Sequence, residues 1–88
     1  MNVGDLINVS ILNYYFRPDS KPNTIKYNFL FRGIIIDQIE SHNEHTGYLN
    51  MLSIFKDNNN VEHIDLSEKY YLLEQYYTRY KIKIINKV

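Results

Sequence analysis

From Ile25 to Ile39 the chain reads almost without interruption as β-strand. Ile25, Tyr27, Phe29 and Phe31 alternate with Lys26, Asn28 and Arg32, and after Gly33 comes an isoleucine triplet, Ile34-Ile35-Ile36. A period of two is the pattern of a half-buried strand. Strands usually run to about five or six residues, so one this long cannot stay flat. Gly33, where the alternation breaks, is the expected place for a bulge or sharp bend that lets one strand serve two sides of a curved sheet.

The rest of the chain fits around that strand. Val3-Gly4-Asp5 leads into Leu6 to Leu12, with Ile7, Val9 and Ile11 on one side and Asn8 and Ser10 on the other, a first strand. Tyr14, Tyr15 and Phe16 stand at the root of a loop, Arg17 to Thr24, in which Pro18 and Pro22 interrupt any ladder. Glu40 to Gly47 is polar and ends in glycine, which predicts a second loop. Tyr48 to Phe55 is a third strand of ambiguous facing, since Tyr48, Leu52 and Ile54 compete with Leu49, Met51 and Phe55 for the core. Asp57-Asn58-Asn59-Asn60 is a hairpin signal, because Asn and Asp tolerate the positive φ of tight turns. Val61 to Leu66 returns as a fourth strand with Ile64 and Leu66 inward. Ser67 reads as an N-cap, and Leu66, Tyr70, Leu73, Tyr77 and Tyr80 fall within one arc at helical spacing, which predicts a helix from Glu68 to Thr78. From Tyr80 the period returns to two, with Ile82 and Ile84 against Lys81 and Lys83, a fifth strand.

Composition narrows the chemistry. Eighty-eight residues make a single domain, 1–88, with one modest core. The absence of cysteine excludes disulfides, thiolate nucleophiles and cysteine zinc sites. Nine tyrosines, twelve isoleucines and no alanine favour pleated surfaces over helices. Mutational bias competes as an explanation, because Asn, Ile, Lys, Tyr and Phe are residues that an AT-rich coding sequence favours, as in an AT-rich bacterium or one of its phages. No apolar run reaches the ~20 residues of a membrane span, and the amino terminus lacks a signal-peptide pattern. The expected setting is cytoplasmic, or the virion of a phage, with no membrane partner.

Four strands, a short helical connection and a fifth strand is a layout that resembles the Src-homology-3-like small barrels. Val3-Gly4-Asp5 before strand one, Gly33-Ile34-Ile35-Ile36-Asp37 in strand two and the polar hairpin between strands three and four carry the resemblance, which extends to small barrel proteins of tailed phages. It implies a mainly β fold: a five-stranded barrel with one short helix, 68–78, before the last strand. The tryptophan often found near the last strands of such barrels is missing, the first loop is longer, and the acidic and aromatic motif that binds proline-rich peptides is not visible. The resemblance therefore implies an architecture and no binding site.

Several side-chain groups could carry chemistry. His42, Glu44 and His45, with His63, are candidate metal ligands, but solvated loop histidines are commoner and no helical His-Glu-Xaa-Xaa-His spacing supports a metal; neither metal nor cofactor is expected. Asp37 with Glu40, or Glu62 with Asp65, could act as acid and base only in a shielding pocket, which a barrel filled with side chains does not provide. The three glycines, at 4, 33 and 47, form no phosphate loop. An enzyme is not expected.

Two binding readings stay open. Tyr14, Tyr15 and Phe16, together with Tyr70, Tyr71, Tyr76 and Tyr77, exceed what a small core can hide, and Tyr14, Tyr15, Phe16, Tyr71 and Tyr76 are candidate anchors for a protein partner or a second copy of the chain. On this reading the protein is a non-enzymatic binding module, such as a phage virion component or an inhibitor of a host system. The alternative is nucleic acid. Tyr77, Arg79, Tyr80, Lys81 and Lys83 interleave aromatics with bases in a tail that has no acid after Glu74, whereas Asp37 to Glu74 holds eight acids against Lys56 and Lys69. Folding that pairs the two regions within the molecule is the default expectation for such a gradient.

Overall fold

The alternation of apolar and polar residues becomes an almost wholly β structure of seven strands in a computed structural model that describes residues 1–15, 24–45, 47–72 and 74–88. The strands are β1 Leu6–Tyr15, β2 Thr24–Asn43, β3 Gly47–Lys56, β4 Val61–Asp65, β5 Lys69–Leu72, β6 Gln75–Thr78 and β7 Tyr80–Asn86. Five of them form one antiparallel sheet in the order β4-β3-β2-β1-β7, and β5 and β6 pair separately. No ladder joins β4 to β7 among the described residues, so the sheet is open where a closed five-stranded barrel was expected.

β2 is the spine. Its first half pairs with β1, from Tyr15 opposite Thr24 to Leu6 opposite Ile34, and its second half pairs with β3, from Gly33 opposite Lys56 to Asn43 opposite Gly47. The handover occurs at Gly33, as the sequence suggested, but the bulges flank it. Leu30 is the extra residue opposite the Val9–Ser10 step, and Ile36 is the extra residue opposite Ser53–Ile54. Gly33 itself stays in register and is buried. A Cβ there would lie 2.5 Å from the Phe55 carbonyl oxygen and 2.6 Å from Ile54 Cγ2, so glycine is demanded by close approach of β3.

One face of the sheet carries the core. Ile7, Val9, Phe31, Ile35, Leu52, Ile54 and Ile64 form a single buried cluster, against which Leu66, Tyr80, Ile82 and Ile84 pack. Side chains from both edge strands, β4 and β7, thus reach one centre, which requires the sheet to curl strongly around this face. The ambiguous β3 resolves in favour of Leu52 and Ile54, and Phe55 turns outward. Lys56 lies over the rim of the core, its Nζ 4.9 Å from the Phe31 ring centroid and 3.2 Å from Glu62 Oε1.

The bulge at Leu30 has a further effect. Simple alternation puts Phe29 on the side of Phe31, but a one-residue slip reverses facing. Phe31 is buried and Phe29 is 64% exposed. On the same outer face, register aligns Leu6, Ile34, Phe55 and Val61 in one row across four strands, beside a shallow groove of about 190 Å³ between Leu6 and Phe55.

Two expectations are corrected. The segment 68–78 is not a helix; no helix occurs among the described residues, and this stretch is the β5–β6 hairpin, with Tyr71 opposite Tyr76 and Tyr70 opposite Tyr77. Tyrosine suits a pleated ladder better than a helix, and nothing in the segment favours helix strongly enough to oppose that. The polar stretch 40–47 is not a loop throughout, because the β2–β3 ladder continues to Asn43 and Gly47. The predicted turn after β3 forms as expected: the Lys56 N–H donates to the Asn60 carbonyl (2.8 Å), and Asn59 adopts φ +64°.

The lead-in to β1 is pinned. The Gly4 N–H donates to the Ile35 carbonyl (2.7 Å) and the Ile35 N–H to the Asp5 carbonyl (3.1 Å). Asp5 is buried, and its carboxylate accepts the backbone N–H groups of Asn2 (2.8 Å) and Val88 (2.9 Å). These bonds, Val88 first, hold its pKa below the ordinary 3.8. Among the described residues no helix is long and apolar enough to cross a membrane.

Candidate functional site

Two surfaces gather most of the residues singled out from the sequence. The first is the β5–β6 hairpin. A strand pair places directly opposed side chains on the same face about 5 Å apart. Accordingly Tyr71 and Tyr76 meet, ring centroids 4.9 Å apart and planes tilted by 56°, in the offset geometry that aromatic quadrupoles favour. They are 61% and 73% exposed, while Tyr70, Leu72 and Tyr77 lie on the other face of the hairpin. Between the two strands Glu74 adopts φ +64°, and Leu73 lies outside the described residues.

The hairpin is tied to the main sheet at its base. The Arg79 N–H donates to the Glu68 carbonyl (2.9 Å), the Leu12 N–H donates to the Arg79 carbonyl (2.7 Å), and the Tyr27 hydroxyl donates to the Thr78 carbonyl (2.7 Å). Arg79 Nη1 donates to both oxygens of Glu68, at 3.1 and 3.3 Å, which raises the guanidinium pKa further. Between hairpin and sheet lies a groove of about 280 Å³ lined by Ile11, Leu12, Tyr70, Leu72 and Arg79. It is on the hairpin face opposite the Tyr71–Tyr76 pair.

Of the other proposed anchors, Tyr14 and Tyr15 occupy the end of β1, opposite Ile25 and Thr24, and Phe16 lies outside the described residues. The structure therefore brings Tyr71 and Tyr76 together.

The basic tyrosine segment is divided by its own periodicity. Tyr80 turns toward the core, Tyr77 donates its hydroxyl to Gln75 (3.1 Å), and Arg79 is engaged by Glu68. Lys81 and Lys83 are left exposed on the outer face of β7, beside Ser10 and Asn8 of β1. Intramolecular charge pairing is accordingly partial. Arg79 pairs with Glu68, and among the described residues neither Lys81 nor Lys83 has an ionic partner.

The acid and imidazole groups are dispersed. Residues three apart on a strand face opposite sides, so Asp37 and Glu40 separate, as do Glu62 and Asp65. Asp65 instead accepts from the Ser67 N–H (2.9 Å) and hydroxyl (2.5 Å); burial pushes this carboxyl up, but the Ser67 bonds outweigh it and the net shift is downward. His63 Nδ1 is 2.8 Å from Ser53 Oγ. His42 is opposite Tyr48, five positions from Ser53 along β3, or about 17 Å at the rise of a strand, and on the other face. No group of three potential metal ligands occurs among the described residues.

Sequence reasoning missed Phe29 and Arg32 as surface residues belonging with Lys81 and Lys83. Only the β1–β7 and β1–β2 registers bring them together, and Phe29 faces outward only because of the bulge. Searches with the chain match no protein-family model, no curated protein and no solved structure.

Proposed function

We propose that the protein is a non-enzymatic protein-binding module whose anchor is the Tyr71–Tyr76 pair. The observation that carries this reading is the exposure of both rings, 61% and 73%, on the solvent face of a hairpin whose base is bonded to the sheet. Tyrosine contributes large amphipathic contact area at low entropic cost, and a paired ring platform is already ordered before binding. The strand order β4-β3-β2-β1-β7, a four-strand meander with the last strand returned to the first, supports reading the scaffold as an open relative of Src-homology-3-like barrels, with a hairpin in place of the helical connection.

The test is affinity recovery of the tagged protein from its native cell, with and without nuclease, alongside Tyr71→Ser/Tyr76→Ser. A protein retained after nuclease by the wild type and lost by the double variant supports the reading. Equal retention by both removes the hairpin as the anchor. Sedimentation at several concentrations separates a partner from a second copy of the chain, because only self-association makes the wild-type mass concentration-dependent.

A further inference from the structure

We propose that the outer face of β7, β1 and the first half of β2 binds single-stranded nucleic acid, with Phe29 as a stacking platform and Arg32, Lys81 and Lys83 meeting the phosphates. Register carries the geometry. Lys83, Asn8 and Arg32 form one row across the three strands, and Lys81, Ser10 and Phe29 form the next. The Arg32 Nε–H donates to Asn8 Oδ1 (2.8 Å), which fixes the guanidinium over the sheet while using one of its five donors. Lys81 Nζ sits 5.4 Å from the Tyr27 ring centroid, held toward the same rows by cation–π attraction.

Two further observations separate this face from an ordinary solvated strand surface. β1, β7 and the segment Thr24 to Ile36 contain no aspartate or glutamate, so nothing within these strands opposes a polyanion. Phe29 is 64% exposed among these cations, where a bulge rather than a packing need has turned it outward. A ring flanked by cations on strands that carry no acid, with Asp57 reaching only the groove beyond Arg32, suits a ligand that alternates flat apolar faces with negative charge, and an unstacked base followed by its phosphate is that ligand. A duplex hides its base faces, which selects the single strand. The site shares no residue with the tyrosine hairpin and does not rest on its role.

Fluorescence anisotropy of a labelled oligothymidylate tests the proposal, with an abasic oligomer of equal length and a duplex as comparators. With three phosphate contacts the logarithm of affinity should fall with the logarithm of salt at a slope of about −2, a loss of roughly twentyfold between 50 and 200 mM. Phe29→Ala should weaken oligothymidylate binding about tenfold and leave abasic binding unchanged, since stacking on an aromatic ring is worth roughly that factor or more per base. Lys81→Glu/Lys83→Glu should weaken both by at least about tenfold. Tyr71→Ser/Tyr76→Ser, which the protein-binding reading expects to lose a partner, should leave the oligothymidylate, abasic and duplex affinities unchanged. No binding by the wild type at about 100 µM protein in 50 mM salt, where weak non-specific complexes already form, overturns the proposal. So does equal affinity for the abasic oligomer or tighter binding to the duplex. Circular dichroism of each variant confirms the fold, and the wild-type salt slope and abasic comparison decide the matter even if a variant fails to fold.

Discussion

Gly33 is fixed by its neighbours. Because the obstructing atoms include the Phe55 backbone, a methyl group cannot be accommodated by a rotamer change alone. Gly33→Ala is expected to destabilise by about 2 kcal/mol, overpacking outweighing the smaller gain from restricting the unfolded chain. A urea midpoint that falls with the slope unchanged would show it. Asp5 and Asp65 set the acid limb of stability. Each has a folded pKa below its ordinary 3.8, so the stability it contributes is complete above 3.8 and is lost as the pH falls through the lower folded value. Thermal midpoints should therefore drop on acidification below about pH 4, and Asp5→Asn should lower the midpoint at neutral pH while flattening that drop. The sequence offered Gly33 as a special position on periodicity alone. It could not show that the bulges lie three residues to either side, since Leu30 and Ile36 are apolar residues in an apolar run and nothing in their identity marks a slip.

At the scale of elements, the hairpin explains why a helix was expected. Tyr70 and Tyr77 are seven apart, two helical turns, and they are also directly opposite one another in the β5–β6 ladder. Both structures bring the same residues together, so spacing cannot separate them. The usual mark of a tight turn, Asn or Gly with positive φ, is absent, and Glu74 adopts φ +64° in its place. Composition held the better signal: a tyrosine-rich segment without alanine suits a ladder. A non-glycine residue in the left-handed region costs about 1 kcal/mol, so Glu74→Gly should stabilise the protein by nearly that amount, read as a rise in the denaturation midpoint. At Asn59, also at φ +64°, Asn→Val should instead cost about 1 kcal/mol or more, since a β-branched side chain tolerates that conformation least. The Arg79–Glu68 pair at the hairpin base is half-exposed, so solvent screens it and it orients the hairpin more than it stabilises the fold.

Across the whole molecule, the radius of gyration is 15.1 Å, whereas about 12 Å is usual for a globule of this length. Two ribbons account for the excess: 40–43 with 47–50 at one end and 12–15 with 24–27 at the other pair only with each other within the sheet. Stability must concentrate between them. Amide exchange is expected to be slowest at Val9, Phe31, Ile35, Leu52 and Ile54, and faster by orders of magnitude in 40–43, 47–50 and the strands β5 and β6. Ile54→Ala should cost about 3 kcal/mol, a large part of the roughly 4–13 kcal/mol expected for a domain of this size. Alternation made five strands readable, together with the core side of β1, β4 and β7, whereas β3 offered two facings and the bulge at Leu30 reversed the front of β2. The far ribbon was not readable, because a ladder wet on both faces leaves no apolar pattern, and the outer cationic face was not, because it exists only through register.

The sheet order also sorts the ionic groups in space. The charged residues of β7 and of the front of β2 are lysine and arginine, with the uncharged β1 between them, while Asp37, Glu40, Glu62 and Asp65 lie on the rear of β2 and on β4. A chain with a formal net charge of zero is therefore a lopsided electric dipole. Such a molecule turns one flank toward a charged object before touching it, so near its isoelectric point it should be retained by anion and cation exchangers alike, each resin gripping a different side.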